Sequence, residues 1–156
     1  MKALTKALVF FAATLTIVSF TSEALAQNNC AALKKGVYFY RLNQTNGFWV
    51  TFRIYNPASR DPNQRLRHTV GVEAWMNKQP EGPNYIPHDG LGQGTLSPQG
   101  GLSVRVEWQN GAIGVYTARA KVSGTGFVLV DGKTFDEVHP NSRAAWSSND
   151  RLPCSN

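Results

Sequence analysis

The chain has 156 residues, 42% of them hydrophobic, with 16 Lys and Arg against 10 Asp and Glu and a net charge of +6. That length suits one domain able to bury a real core. Two cysteines without CxxC spacing or an adjacent histidine exclude a zinc or redox motif, and a mild basic excess without an RNP-like or helix-turn-helix pattern argues against nucleic acid as a partner.

In chain order, Lys2 and Lys6 precede an apolar run from Ala7 to Phe20, followed by Ala24-Leu25-Ala26 and Gln27. This predicts a signal peptide over 1-26. The run is about 14 residues, short of the roughly 20 that a membrane-spanning helix needs, so an export signal is favoured over an anchor. Cys30 stands four residues beyond Ala26, outside the lipid-accepting position of a lipoprotein. The expected product is an exported protein, periplasmic or extracellular, with no stable membrane insertion after signal removal. Its single β domain occupies 27-156, and loss of Lys2, Lys6 and Glu23 lowers its charge to +5.

Cys30 and Cys154 lie near the two ends of that domain, and an oxidising compartment predicts a disulfide between them. Seven strands are expected at Gly36–Leu42, Gly47–Tyr55, Thr69–Met76, Gly92–Leu96, Leu102–Trp108, Ala112–Ser123 and Phe127–Phe135. Each is rich in β-branched and aromatic residues and bounded by Gly, Asn, Ser or Pro. Arg143–Ser147 is an eighth candidate, and Asn29–Lys35 is expected to form a turn. Short connections at Asn43–Gly47, Ser97–Gly100, Gln109–Gly111 and Ser123–Gly126 predict antiparallel neighbours. The fold class is therefore all-β, an antiparallel meander forming a barrel or sandwich. Asn110-Gly111 reads as a type I′ turn with positive φ at both residues, and Asp131-Gly132 as another turn. Two longer proline-bearing loops are expected at Asn56–Arg67 and Asn77–Gly90. The first holds Arg60, Arg65 and Arg67, read as a solvated loop, with weak attraction to acidic glycans or a membrane surface as the alternative.

Alternation assigns faces. Leu102, Val104, Val106 and Trp108 share one side, so Trp108 is expected in the core, with Gly114 and the alanines of the next strand making room for its indole. Phe48, Val50, Phe52 and Ile54 form an apolar side that leaves Trp49, Thr51, Arg53 and Tyr55 on the other. Glu73 and Trp75 extend that second stripe from the neighbouring strand. Trp49, Arg53, Tyr55 and Trp75 are the expected ligand-binding residues, because aromatic faces stack on sugar rings while polar neighbours take their hydroxyls. The competing expectation is that a helix, a loop or the other side of a closed barrel covers this face.

Catalytic chemistry has little to stand on. His68, His88 and His139 are dispersed, neither GxSxG nor HExxH occurs, and Asp131, Asp136 and Glu137 lack the oxygen-ligand alternation of a calcium loop. No catalytic residue, metal or cofactor is expected. His88 and Asp89 diverge on an extended chain and make no dyad.

Over residues 90–154, the strings Trp108-Gln-Asn-Gly111, Gly114-Val-Tyr116, Gly132-Lys-Thr-Phe-Asp136, His139-Pro-Asn-Ser142, Ala145-Trp146 and Cys154 resemble small uncharacterised exported bacterial all-β proteins. The resemblance implies secretion and a β domain, and brings no ligand. A looser likeness, of size and meander alone, is to avidin-like and lipocalin-like barrels. The expectation is a secreted or periplasmic binding module that contacts a saccharide or cell-envelope glycan through the aromatic and Arg face. The alternatives are a protein-directed inhibitor or envelope interaction protein acting through loop 77-90 and, behind these, a hydrolase.

Overall fold

A computed structural model describes residues 30–56, 69–78 and 88–155. The expected signal peptide, the Arg60, Arg65 and Arg67 cluster, His68 and positions 79–87 of the proline-bearing loop lie outside the described residues.

Among the described residues there are ten strands: β1 (Ala32–Leu33), β2 (Gly36–Gln44), β3 (Phe48–Asn56), β4 (Thr69–Lys78), β5 (His88–Ser97), β6 (Gly101–Trp108), β7 (Ile113–Ser123), β8 (Gly126–Asp136), β9 (Arg143–Ser147) and β10 (Leu152–Ser155). From β2 to β9 each pairs antiparallel with the next, and β9 returns to β2 through Asn43↔Ser147 and Gln44↔Trp146. The result is a closed eight-stranded barrel, which leaves β1 and β10 as additions at one end. Closure protects strands that would otherwise present a row of unpaired backbone groups.

One side of every strand fills the barrel, as alternation requires. Tyr40, Leu42, Val50, Phe52, Ile54, Val70, Val72, Leu102, Val104 and Val106 are all 3% exposed or less. Trp108 is buried with them. Phe52 and Tyr116 meet edge to face, ring centroids 5.0 Å apart, the favourable geometry for aromatic quadrupoles.

Strand β5 begins at His88, four residues before the expected Gly92. The stretch Gly90-Leu-Gly-Gln-Gly94 carries little strand propensity, yet its inward glycines are what this place requires. A Cβ at Gly92 would fall 2.5 Å from the Arg105 carbonyl oxygen and one at Gly90 2.8 Å from the Trp108 ring. The close approach of β6 admits only hydrogen there.

Asp131-Gly132 is not a turn. It is a bulge within β8: Thr117 pairs with Lys133 but Arg119 pairs with Val130, and Asp131 has φ +56°. The extra residue reverses the alternation of β8, so Phe127 and Leu129 face inward before it and Gly132 and Thr134 after it. The bulge also divides the strand's partners. Its first residues pair with β10 and its last with β9. Arg119 forms an ion pair with Asp131 on the outer surface.

The Asn110-Gly111 connection also differs from its expected type. Only Gly111 has positive φ, +83°. Gly111 N donates to Trp108 O at 2.9 Å and Trp108 N to Ala112 O at 3.0 Å. This is a three-residue loop with a left-handed glycine at its end. The Asn110 carboxamide oxygen accepts from Ala112 N, 3.1 Å away, which holds Asn110 without a left-handed backbone.

Cys30 and Cys154 are bonded, with Cα atoms 5.0 Å apart. The expected turn at Asn29–Lys35 contains β1, which pairs with β10 through Ala32↔Ser155 and Leu33↔Cys154. Together with buried Leu33, Phe127 and Leu152 they close one end of the barrel. The opposite end is the mouth, bordered by the connections β2–β3, β6–β7 and β8–β9.

Candidate functional site

The four expected ligand-binding residues lie on the outer surface of β3 and β4, brought together by register. Thr51 pairs with Trp75, Arg53 with Glu73 and Tyr55 with Gly71. Trp49 and Trp75 are therefore diagonal neighbours, within reach of one another's large side chains. They are 37% and 36% exposed, so this stripe is not a second side of the core.

Each indole has polar groups across the ladder on both sides. Trp49 lies between Asn43 and Asn77, and Trp75 between Thr51 and Asp89. Trp49 borders a recess of about 410 Å³ with Arg41, Asn43 and Asp150, and Trp75 one of about 460 Å³ with Asp89, Glu107 and Gln109. Asp150 is fixed by accepting from Arg41 N at 2.6 Å.

Arg53 and Tyr55 are placed on this face, but their polar groups turn toward Glu73. Arg53 Nη1 donates to Glu73 Oε2 at 3.1 Å, and the guanidinium carbon lies 4.8 Å from the Tyr55 ring centre. Its Nε is buried without a hydrogen-bond partner. The hydrogen bond from Tyr55, with Arg53 beside it, holds the Glu73 carboxyl below the usual carboxylate range against some desolvation. Desolvation and the bond to Glu73 raise Tyr55. The triad lies beside the indoles, and Arg53 and Glu73 are about as open to solvent as Trp49 and Trp75.

Three exposed apolar residues of the same surface were not anticipated from the sequence, among them Val37, opposite Tyr55. Phe39, opposite Arg53, is 65% exposed and Leu91, opposite Glu73, is 69% exposed. Phe39 lies in the aromatic run Tyr38-Phe39-Tyr40, where alternation is invisible. Leu91 lies among glycines. His88 and Asp89 are consecutive on β5, pairing with Met76 and Trp75, so alternation sends them to opposite faces.

A second constellation, also unforeseen, lies inside the mouth. Tyr116 lies opposite Thr134 across the β7–β8 ladder, with Gln44 and Trp108 lining the same space, and burial pushes its pKa up to about 12 although these polar neighbours favour ionisation. Gly114 makes the arrangement possible: a Cβ there would lie 2.7 Å from the Tyr116 ring and 2.9 Å from Trp108 Nε1. Above is a cavity of about 170 Å³ walled by Phe48, Met76, Trp108, Ala112 and Phe135. At its rim Asp136 accepts from Ile113 N at 3.1 Å and Val138 N at 2.9 Å, and pairs with His139 Nδ1 at 2.9 Å. Desolvation raises the Asp136 pKa, but the His139 bond and the two backbone bonds outweigh it and leave the carboxyl below its ordinary value. Among the described residues, no three His, Cys, Asp or Glu side chains converge as metal ligands.

The chain matches no protein-family model, no curated protein and no solved structure.

Proposed function

We propose that this protein is an exported binding module whose outer barrel face takes a saccharide of the cell envelope. The observation that carries the reading is the paired exposure of Trp49 and Trp75, each flanked across the ladder by hydrogen-bonding side chains. An indole face covers the C–H face of a sugar ring. The flanking Asn43, Asn77, Thr51 and Asp89 supply donors and acceptors for its hydroxyls. Arg53, Glu73 and Tyr55 hold β3 and β4 in the register on which the platform depends, and Phe39 and Leu91 extend its apolar surface. Folding alone does not require such a patch on the outside of a filled barrel.

The test is binding of the purified protein to cell-envelope polysaccharide, with Trp49→Ala, Trp75→Ala and the double variant beside it. Each single change is expected to weaken binding by about 1–3 kcal/mol, the range of an interface anchor, with an unchanged melting profile. Full binding by the double variant, or no binding of any envelope polysaccharide by the parent, overturns the reading.

A further inference from the structure

We propose that the barrel mouth is a separate binding site for a neutral, single-ring molecule bearing one hydroxyl, with its ring against Trp108 and its hydroxyl on Thr134 and Gln44. Size sets the first limit. The cavity of about 170 Å³ is close to the roughly 150 Å³ of an apolar protein cavity that accepts benzene. It falls below the roughly 300 Å³ at which pockets for drug-sized ligands begin. One ring fits.

The hydrogen-bonding inventory sets the second limit. Gln44, Trp108, Tyr116 and Thr134 line one cavity; an indole N–H can only donate, and the Tyr116 hydroxyl has a single proton, which can serve only one of Thr134 and Gln44. A threonine hydroxyl has one donor and two acceptor positions, and a carboxamide two of each. One bond to Tyr116 therefore leaves both side chains with capacity beside the apolar walls of Phe48, Met76, Trp108, Ala112 and Phe135, while Asn46, Asn110, Asp136, Ser142 and Arg143 also line the cavity. A ligand hydroxyl, both donor and acceptor, suits either partner.

Charge sets the third. The Asp136 carboxylate is taken up by Ile113, Val138 and His139. Arg143 Nε donates to Pro140 O at 2.8 Å. Asp136 and Arg143 line the same cavity with opposite charges, so neither sign of ion gains a net attraction and a neutral molecule is favoured over an ionic one.

Phenol is the probe, titrated into the purified protein while the indole N–H resonances of Trp49, Trp75, Trp108 and Trp146 are followed. The expected result is a saturable shift of Trp108 with Trp49 and Trp75 unmoved, and weaker binding of toluene, which has the ring without the hydroxyl. Thr134→Val is expected to weaken phenol binding about fivefold to tenfold, the effect of one lost hydrogen bond. Ala112→Phe, at the rim, is expected to abolish it by filling the space. A still Trp108 resonance up to the solubility limit overturns the proposal, as does phenol binding that survives Ala112→Phe unchanged. If Thr134→Val does not fold, the Ala112→Phe comparison decides. Shifts of Trp49 and Trp75 alone place phenol on the outer face and also overturn it. Because the saccharide reading is tested on those two indoles, failure of either proposal leaves the other standing.

Discussion

The indole of Trp146 lies so close over Gly132 that a Cβ at that position would come within 2.5 Å of three of its ring atoms. Trp146 is 4% exposed, and its Nε1 donates to Lys133 O at 3.0 Å. It sits on β9, the five-residue strand that joins β8 to β2. At this short strand, the packing of one tryptophan against one glycine adds to the backbone pairing of β9 with β8 and β2.

Gly132→Val is therefore expected to destabilise the fold by about 1–3 kcal/mol through overpacking. Trp146→Ala is expected to cost about 3–5 kcal/mol through loss of a buried aromatic. Urea midpoints at constant slope measure both. A Gly132→Val midpoint equal to the parent's shows that the contact does not hold the seam.

Removing the disulfide should also be costly, because Cys30 and Cys154 are 124 residues apart and the bond restricts a long loop in the unfolded chain. The double variant Cys30→Ala with Cys154→Ala is expected to lose about 2–5 kcal/mol. Reduction of the parent should reproduce the loss. Equal melting temperatures with and without reductant would show that this end is held by β1 and β10 packing alone.

At Gly111 the expected cost is conformational. A Cβ there meets nothing within 4 Å, but φ is +83°. Gly111→Val is expected to destabilise by about 1–2 kcal/mol, the strain of a β-branched residue in the left-handed region. Gly111→Asn should cost less, since Asn tolerates that region. Identical midpoints for the two variants would assign the loss to something other than backbone strain.

Tyr116 predicts a loss of stability in alkali. Its folded pKa of about 12 lies above the ordinary 10.0 because the buried hydroxyl resists ionisation. Unfolded chains release this proton first, so its contribution is fully present below pH 10 and is lost as pH rises toward 12, up to about 2–3 kcal/mol. Tyr116→Phe should flatten the stability profile over that window relative to the parent. Parallel profiles for the two proteins would show that Tyr116 does not titrate late.

The legibility of this protein divides at particular residues. Leu102, Val104, Val106 and Trp108 alternate with Ser103, Arg105 and Glu107, and the strand and its buried face follow from that period of two. Trp49, Arg53, Tyr55 and Trp75 were placed on one surface in the same way. The engagement of Arg53 and Tyr55 with Glu73 was not readable, because it depends on which residues oppose each other across β3 and β4. The start of β5 was hidden by glycines whose role appears only when β6 lies against them.

By itself the chain's pattern determined an all-β meander, the pairing of its two cysteines, and the inward placement of Trp108. Those rest on local periodicity and on there being only one pair of cysteines to join. Tertiary structure alone decided barrel over sandwich, because closure depends on β9 meeting β2 across about a hundred residues of chain. It also decided the mouth: the bulge at Asp131 shifts the facing of β8 by one residue and turns Thr134 inward to Tyr116. A one-residue shift changes no composition and little propensity, yet it reverses every side chain that follows, and only the partner strand's register reveals it.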